Sequence, residues 1–200
     1  MKEKELKVIV AGDATVGKTS LMYRLTKNEF KTEESVTVVS DTFRHNVFLN
    51  DNYFSLVIYD TSGQERFRAL TQSFYRHCVC GIFVYSVNDR DSFDNLKDTI
   101  TYAREVMPEK STFILVGNKT DLERKVTYDE GLALFKELNL HLFLETSAMT
   151  GDGTQTMLAQ VVEQILESEV KSQMLQDQIY DISNKIGKIK DGKESERKCC

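Results

Sequence analysis

Gly12-Asp13-Ala14-Thr15-Val16-Gly17-Lys18-Thr19 is the stretch of this 200-residue chain whose residue types and spacing carry the most definite chemistry. It fits Gly-x-x-x-x-Gly-Lys-Ser/Thr, a loop that cradles phosphate. The terminal glycines permit backbone angles that other residues resist, so successive N–H groups can curl around an anion. Lys18 adds a positive point charge near the outer phosphates, and the Thr19 hydroxyl is an oxygen ligand suited to magnesium. A helix over residues 20–27, opening at Ser20, would turn its positive N-terminal end toward the same anion. Directly upstream, the apolar run at 6–11 reads as a buried strand, the setting the motif requires.

Two further clusters extend the chemistry. Asp60 follows the apolar run 53–59 and opens Asp60-Thr61-Ser62-Gly63-Gln64. A carboxylate at a strand end can hold magnesium through water. Gly63 would let a backbone N–H approach a terminal phosphate, and the Gln64 amide can accept from an attacking water while donating to a phosphate oxygen. Asn118-Lys119-Thr120-Asp121 follows the apolar run 113–117. The Asp121 carboxylate can accept both the ring N–H and the exocyclic amine of guanine, a donor pair that adenine lacks. Unpaired buried polar groups are costly, so this makes a strong filter. The aliphatic stem of Lys119 can lie over the base. Glu145-Thr146-Ser147-Ala148 stands at another strand end, where the Ala148 amide can meet the guanine carbonyl; Met149 adjoins it and Phe30 can cover a base edge. In isolation, Asp-x-x-Gly is an ordinary turn and Asn-Lys-x-Asp a loop tetrapeptide. Downstream of a phosphate loop they convert a nucleotide site into a guanine-nucleotide site.

These clusters need elements to position them. Strands are expected at 6–11, 43–49, 53–59, 81–87, 112–117 and 141–145, the second and third forming a hairpin through Asn50-Asp51-Asn52. Helices are expected at 20–27, 92–107, 127–138 and 154–170. The second stops before Pro108, and the third opens with the capping box Thr127-x-x-Glu130. Residues 28–41 read as a long exposed loop, of a length that is usually functional or disordered, and 60–67 as another polar, glycine-containing loop. Alternating strands and helices after a hairpin predict an α/β fold: a mostly parallel six-stranded sheet with one antiparallel edge hairpin and helices on both faces. Ligands of such sheets sit at the carboxyl ends of the strands, where every cluster above falls.

Composition narrows the class. With 40% hydrophobic residues the chain can build a core, and a net charge of −5 argues against a nucleic-acid partner. Cys78 and Cys80 read as small buried hydrophobes rather than zinc ligands. The N-terminus shows no signal-peptide pattern and no apolar run approaches membrane-spanning length.

The order of these motifs, from residue 6 to 166, resembles the Rab family of Ras-superfamily small GTPases. Asp60-Thr-Ser-Gly-Gln-Glu-Arg-Phe67 is similar to the family's second switch, Phe74-Tyr75-Arg76 to its Tyr-Tyr-Arg, and Cys199-Cys200 to its doubly prenylated end. The resemblance implies a G domain over 1–170 and a tether over 171–200. It implies a P-loop GTPase that binds GTP and GDP with Mg2+ and hydrolyses GTP slowly. Gln64 and Lys18 would be catalytic, Thr19, Thr37 and Asp60 would serve magnesium, and Thr37 would touch the γ-phosphate only in the GTP state. Partners implied are GTP-state effectors, an exchange factor, an activating protein and prenyl-binding chaperones. Through its prenyl groups a monomeric G domain would cycle between cytosol and the cytoplasmic face of an intracellular membrane, serving vesicle traffic. Departures fall on the recognition surface. Val38-Val39-Ser40-Asp41-Thr42 stands where members usually read Ile-Gly-Val-Asp-Phe, and the effector triad becomes Thr42, Tyr59 and Phe74. Ser62 replaces an alanine and Met149 a lysine.

Ala14, at a position where Ras itself needs glycine, keeps open a second reading: a weakly hydrolysing, mostly GTP-loaded scaffold. A small-metabolite kinase would predict ATP, which Asn118 to Asp121 opposes. In the tail, Leu175, Ile179, Ile182, Ile186 and Ile189 follow a coiled-coil seam interleaved with lysines, read first as a tether that becomes helical on a membrane or partner, then as a plain solvated linker, then as a self-association segment.

Overall fold

The computed structural model describes residues 4–31, 40–61 and 68–170. Six strands form one sheet in the order β2-β3-β1-β4-β5-β6. They are β1 (Lys4–Ala11), β2 (Ser40–Leu49), β3 (Asn52–Thr61), β4 (Cys80–Ser86), β5 (Thr112–Asn118) and β6 (Leu142–Glu145). Only β2 and β3 pair antiparallel, through a tight turn in which Asn50 and Asp51 both take positive φ (50° and 60°). That is the hairpin-turn geometry that Asn and Asp tolerate best. The remaining neighbours are parallel, so their carboxyl ends lie along one edge.

The helices are α1 (Lys18–Lys27), α2 (Arg68–Tyr75), α3 (Arg90–Asp94), α4 (Leu96–Val106) and α5 (Tyr128–Glu137), with α6 over 157–170. Alternate strand residues face opposite sides of a sheet. One set, including Ile9, Ala11, Phe83, Tyr85, Phe113 and Leu115, joins a core with Phe93, Leu96, Ile100, Ala103 and Leu134 from α3, α4 and α5. The intervening set, Val8, Val10, Ile82, Val84, Ile114 and Val116, is also fully buried, as are Leu21 and Met22 of α1 and Val161, Val162 and Ile165 of α6. Near-continuous apolar strands of this kind need cover on both faces. The chain divides at Ile165/Leu166; the first unit holds the sheet, and the described part of the second is the end of α6 at 166–170.

Several expectations shift by local physics. Residues 92–107 form two helices: the Asn95 N–H is shared between Asp91 and Phe93 carbonyls, and the following Thr99–Asn95 bond stretches to 3.4 Å. The helix stops at Met107, which is extended ahead of Pro108. Residues 68–75, beyond the expected loop at 60–67 and assigned no element from the sequence, carry α2, and its one sequence trace is the Leu70/Phe74 spacing of four. β3 continues through Asp60 and Thr61, and β2 begins at Ser40, so residues 40, 41, 60 and 61, expected in loops, are strand. The capping box of α5 forms as expected: the Thr127 hydroxyl accepts from the Glu130 N–H while the Glu130 carboxylate accepts from the Thr127 N–H. Cys78 and Cys80 are buried free thiols, and burial pushes Cys78 up to about 12 and Cys80 further still. Both are therefore neutral packing groups. Among the described residues no helix is long and apolar enough to cross a membrane.

Candidate functional site

β1 lies where the order of connections reverses, with β3 on one side and β4 on the other, and residues 12–17 leave its carboxyl end. Their path forces the residue types. Gly12 takes φ 141°, and a Cβ there would stand 2.0 Å from the Val84 carbonyl oxygen. Gly17 takes φ 91°, and its Cβ would stand 2.5 Å from Asn118 Nδ2. No side chain fits at either place. Thr15, between them, also has positive φ (63°), so the loop keeps curling until α1 begins at Lys18.

Lys18 is buried and donates to the carbonyls of Gly12 and Asp13 at 2.9 and 2.6 Å, bracing the loop from inside. The Asp13 carboxylate accepts from Asn95 at 2.8 Å, which ties the loop to the α3/α4 junction. Ser20 is buried, and its hydroxyl donates to the Lys31 carbonyl at 2.7 Å. Val16 is buried, Ala14 half-buried and Thr15 exposed.

β1 and β3 run in register with Val10 opposite Asp60, so the Asp60 carboxylate reaches the loop's end. Thr19 Oγ1 donates to Asp60 Oδ2 at 2.6 Å. These are two oxygen donors on separate elements, and among the described residues no group of three or more His, Cys, Asp or Glu is gathered to hold a metal. Such a donor set fits Mg2+, which keeps water and phosphate oxygens in its shell, better than a metal needing a full protein cage.

β5 delivers Asn118 beside the same loop. Its side chain is fully buried; Nδ2 donates to the Val16 carbonyl at 3.0 Å, while Oδ1 accepts from Thr146 Oγ1 and the Ala148 N–H, both at 3.2 Å. Lys119 crosses to the Thr15 carbonyl at 2.6 Å. Asp121 is exposed and accepts from the buried Ser147 hydroxyl at 2.5 Å. The loops after β5 and β6 are thereby locked to each other and to residues 12–17.

The structure thus gathers residues 12–20, Asp60, Asn118, Lys119, Asp121, Ser147 and Ala148. Phe30 is 42% exposed beyond the end of α1, and Met149 is 58% exposed, its carbonyl held by Arg24. Thr37, Gly63, Gln64, Cys199, Cys200 and the apolar seam lie outside the described residues. Three contributors escaped the sequence reading. Thr146 supplies a buried hydroxyl to Asn118, Asn95 anchors Asp13, and Arg24 binds the carbonyls of Ala148 and Met149. Thr146 lay inside a motif already singled out; nothing in the spacing of Asn95 or Arg24 marks them. The three residues expected as an effector triad are neighbours. Thr42 pairs with Tyr59 across the hairpin, and the Tyr59 and Phe74 rings lie 4.9 Å apart.

A family model described as the Ras family matches residues 7–167. The chain is 36% identical over 179 residues to "Ras-related protein Rab-9A" of Mus musculus, covering 87% of this chain and 89% of that protein. It is 38% identical over 169 residues to "Ras-related protein Rab-9B" of Homo sapiens, covering 82% and 84%. To "Ras-related protein Rab-2B" of Dictyostelium discoideum it is 36% identical over 167 residues, covering 82% of each. The chain therefore belongs to the Ras family, as a Rab-type GTPase.

Proposed function

We propose that this GTPase is a GTP/GDP switch of membrane traffic that recruits effectors in its GTP state. The observation that carries the reading is the lock between the two halves of the site. Asn118 and Lys119, next to the base filter, bind the Val16 and Thr15 carbonyls of the phosphate loop. A nucleotide that orders one half therefore orders the other. Asp121 selects guanine and the Ala148 amide reads its carbonyl oxygen, with Phe30 and Met149 along the edge. Thr19, Asp60 and Thr37 serve Mg2+, which supplies charge neutralisation at the β- and γ-phosphates. Lys18 stabilises phosphate charge, Gly63 approaches the terminal phosphate and Gln64 orients the attacking water. Loss of the γ-phosphate then releases the segments around Thr37 and Gln64.

Prenylation at Cys199 and Cys200, on a tether beginning near residue 171, places the protein on the cytoplasmic face of an intracellular membrane. Exchange factor, activating protein and prenyl-binding chaperones complete the cycle. Affinity capture tests the switch: the form loaded with a non-hydrolysable GTP analogue retains membrane-associated partners that the GDP form does not. Equal retention by both forms overturns it. Ala14, half-buried within the loop, favours one second reading, a scaffold that stays GTP-loaded. Single-turnover hydrolysis decides between them, since a rate that an activating protein fails to raise selects the scaffold.

A further inference from the structure

Arg24 sits on α1, seven residues beyond Gly17, with its guanidinium spread over three carbonyls. Nε donates to the Ala148 carbonyl at 2.9 Å, Nη2 to the Met149 carbonyl at 2.9 Å, and Nη1 to the Asn28 carbonyl at 3.0 Å. Nη1 also lies 3.3 Å from Asn28 Oδ1. Asn28 is the left-handed cap that ends α1. One side chain thus pins the far end of the phosphate-loop helix to the loop after β6. Charged donors in a fixed planar fork make the stronger class of hydrogen bond, and lysine cannot reproduce the fork.

The position of the pinned carbonyls matters. The peptide groups held by Arg24 directly follow Ala148, whose own N–H meets Asn118 Oδ1 at 3.2 Å. Other bonds hold the loop as a fold: Thr146 N–H to the Gly117 carbonyl at 2.8 Å, Ser147 N–H to the Asp152 carbonyl at 3.0 Å, and Gly151 N–H to the Ser147 carbonyl at 2.8 Å. None of them engages the carbonyls of Ala148 or Met149. Removing Arg24 would leave these bonds of the loop in place and release the carbonyls of Ala148 and Met149, together with that of Asn28 at the end of α1.

We propose that Arg24 is a positioning residue for guanine: it holds the Ala148 amide in place for the base carbonyl and couples that contact to α1, slowing nucleotide release. This rests on the reading that Ala148 faces the guanine carbonyl oxygen. The test is stopped-flow release from the full chain and its Arg24→Ala and Arg24→Lys variants. Two fluorescent probes are used: ribose-labelled GDP and the diphosphate of 2-aminopurine riboside, which keeps the exocyclic amine but lacks the carbonyl oxygen and, with it, the ring N–H. Arg24→Ala should release GDP about tenfold faster, because only part of the loss of its three carbonyl contacts reaches the base, and Arg24→Lys should recover part of that. Release of the 2-aminopurine nucleotide should not change in either variant. An unchanged GDP rate, or equal acceleration of both nucleotides, overturns the proposal. If Arg24→Ala does not fold, Arg24→Lys alone carries the comparison. A wild-type chain that held ADP as long as GDP would sink the guanine reading instead.

Discussion

Two regions of the same sheet are built in opposite ways. At the carboxyl edge the groups that matter are buried polar atoms, and their partners are largely backbone carbonyls and N–H groups of other loops. Asn118 alone connects the phosphate loop, Thr146 and Ala148. On the outer face of the β2/β3 hairpin the groups are side chains standing on a regular ladder. Thr42 is exposed, and Tyr59 and Phe74 lean on each other half-buried. The Arg44–Glu5 ion pair beside them, at 3.5 Å, is largely solvated. Backbone partners cannot be exchanged by mutation, whereas side-chain contacts on a ladder can. One region tolerates almost no substitution; the other can change its residues and keep its shape. The departures at Thr42, Tyr59 and Phe74 fall in the second region.

The largest expected break is Asn118→Ala. It leaves the Val16 carbonyl, the Thr146 hydroxyl and the Ala148 N–H without their shared partner in a fully buried place. At about 1 to 3 kcal/mol for each stranded group, partly relieved by water, a loss of about 3 kcal/mol in unfolding free energy is expected. GDP release should accelerate on the order of a hundredfold. Urea denaturation and stopped-flow release measure both, and a change confined to stability would detach Asn118 from the nucleotide. On the hairpin face, Thr42→Arg places a bulky charge beside Tyr59 and Phe74 without touching a buried group. Capture of GTP-state partners should fall at least about tenfold while GDP release stays within about twofold. A matching change in release would show that the two regions are not separable.

The fold was largely legible because parallel strands covered on both faces read as continuous apolar runs, and because Gly12 and Gly17 mark places where a Cβ has no room. Asn118 and Asp121 were legible for a different reason: their chemistry is local to four residues. Arg24 and Asn95 were not legible. Each acts across the fold, on Ala148 and Asp13, and a lone Arg on a helix has no spacing that names its partner. The length of α2 was hidden for want of context. Eight residues give about two turns, too few for a period to stand out. The break at Asn95 depends on how one N–H is shared, which composition does not encode.

A third polar cluster separates burial from the number of hydrogen bonds. Glu130 accepts from Arg90 Nη1 at 2.5 Å and from the N–H and hydroxyl of Thr127, each at 2.9 Å. That matches the three shorter of the Asn118 side chain's hydrogen bonds, but the Glu130 side chain is 39% exposed. The Arg90 guanidinium first, and Thr127 second, hold its carboxyl down at about 2, against an ordinary value of 4.5. A depressed carboxyl stabilises the fold while it is ionised. Its contribution is complete above about pH 4.5 and is lost as pH falls through about 2. Glu130→Gln can still accept from the Thr127 N–H but carries no charge. The gap in urea midpoint between wild type and Glu130→Gln should therefore be small and constant near pH 7, narrow below pH 4.5, and shrink at high salt because the pair is solvated. GDP release should be identical in the two proteins. A gap that stays unchanged from pH 7 down to pH 2 would assign the stabilisation to the hydrogen bonds of the cap. It would also remove the distinction between this exposed cluster and the buried one at Asn118.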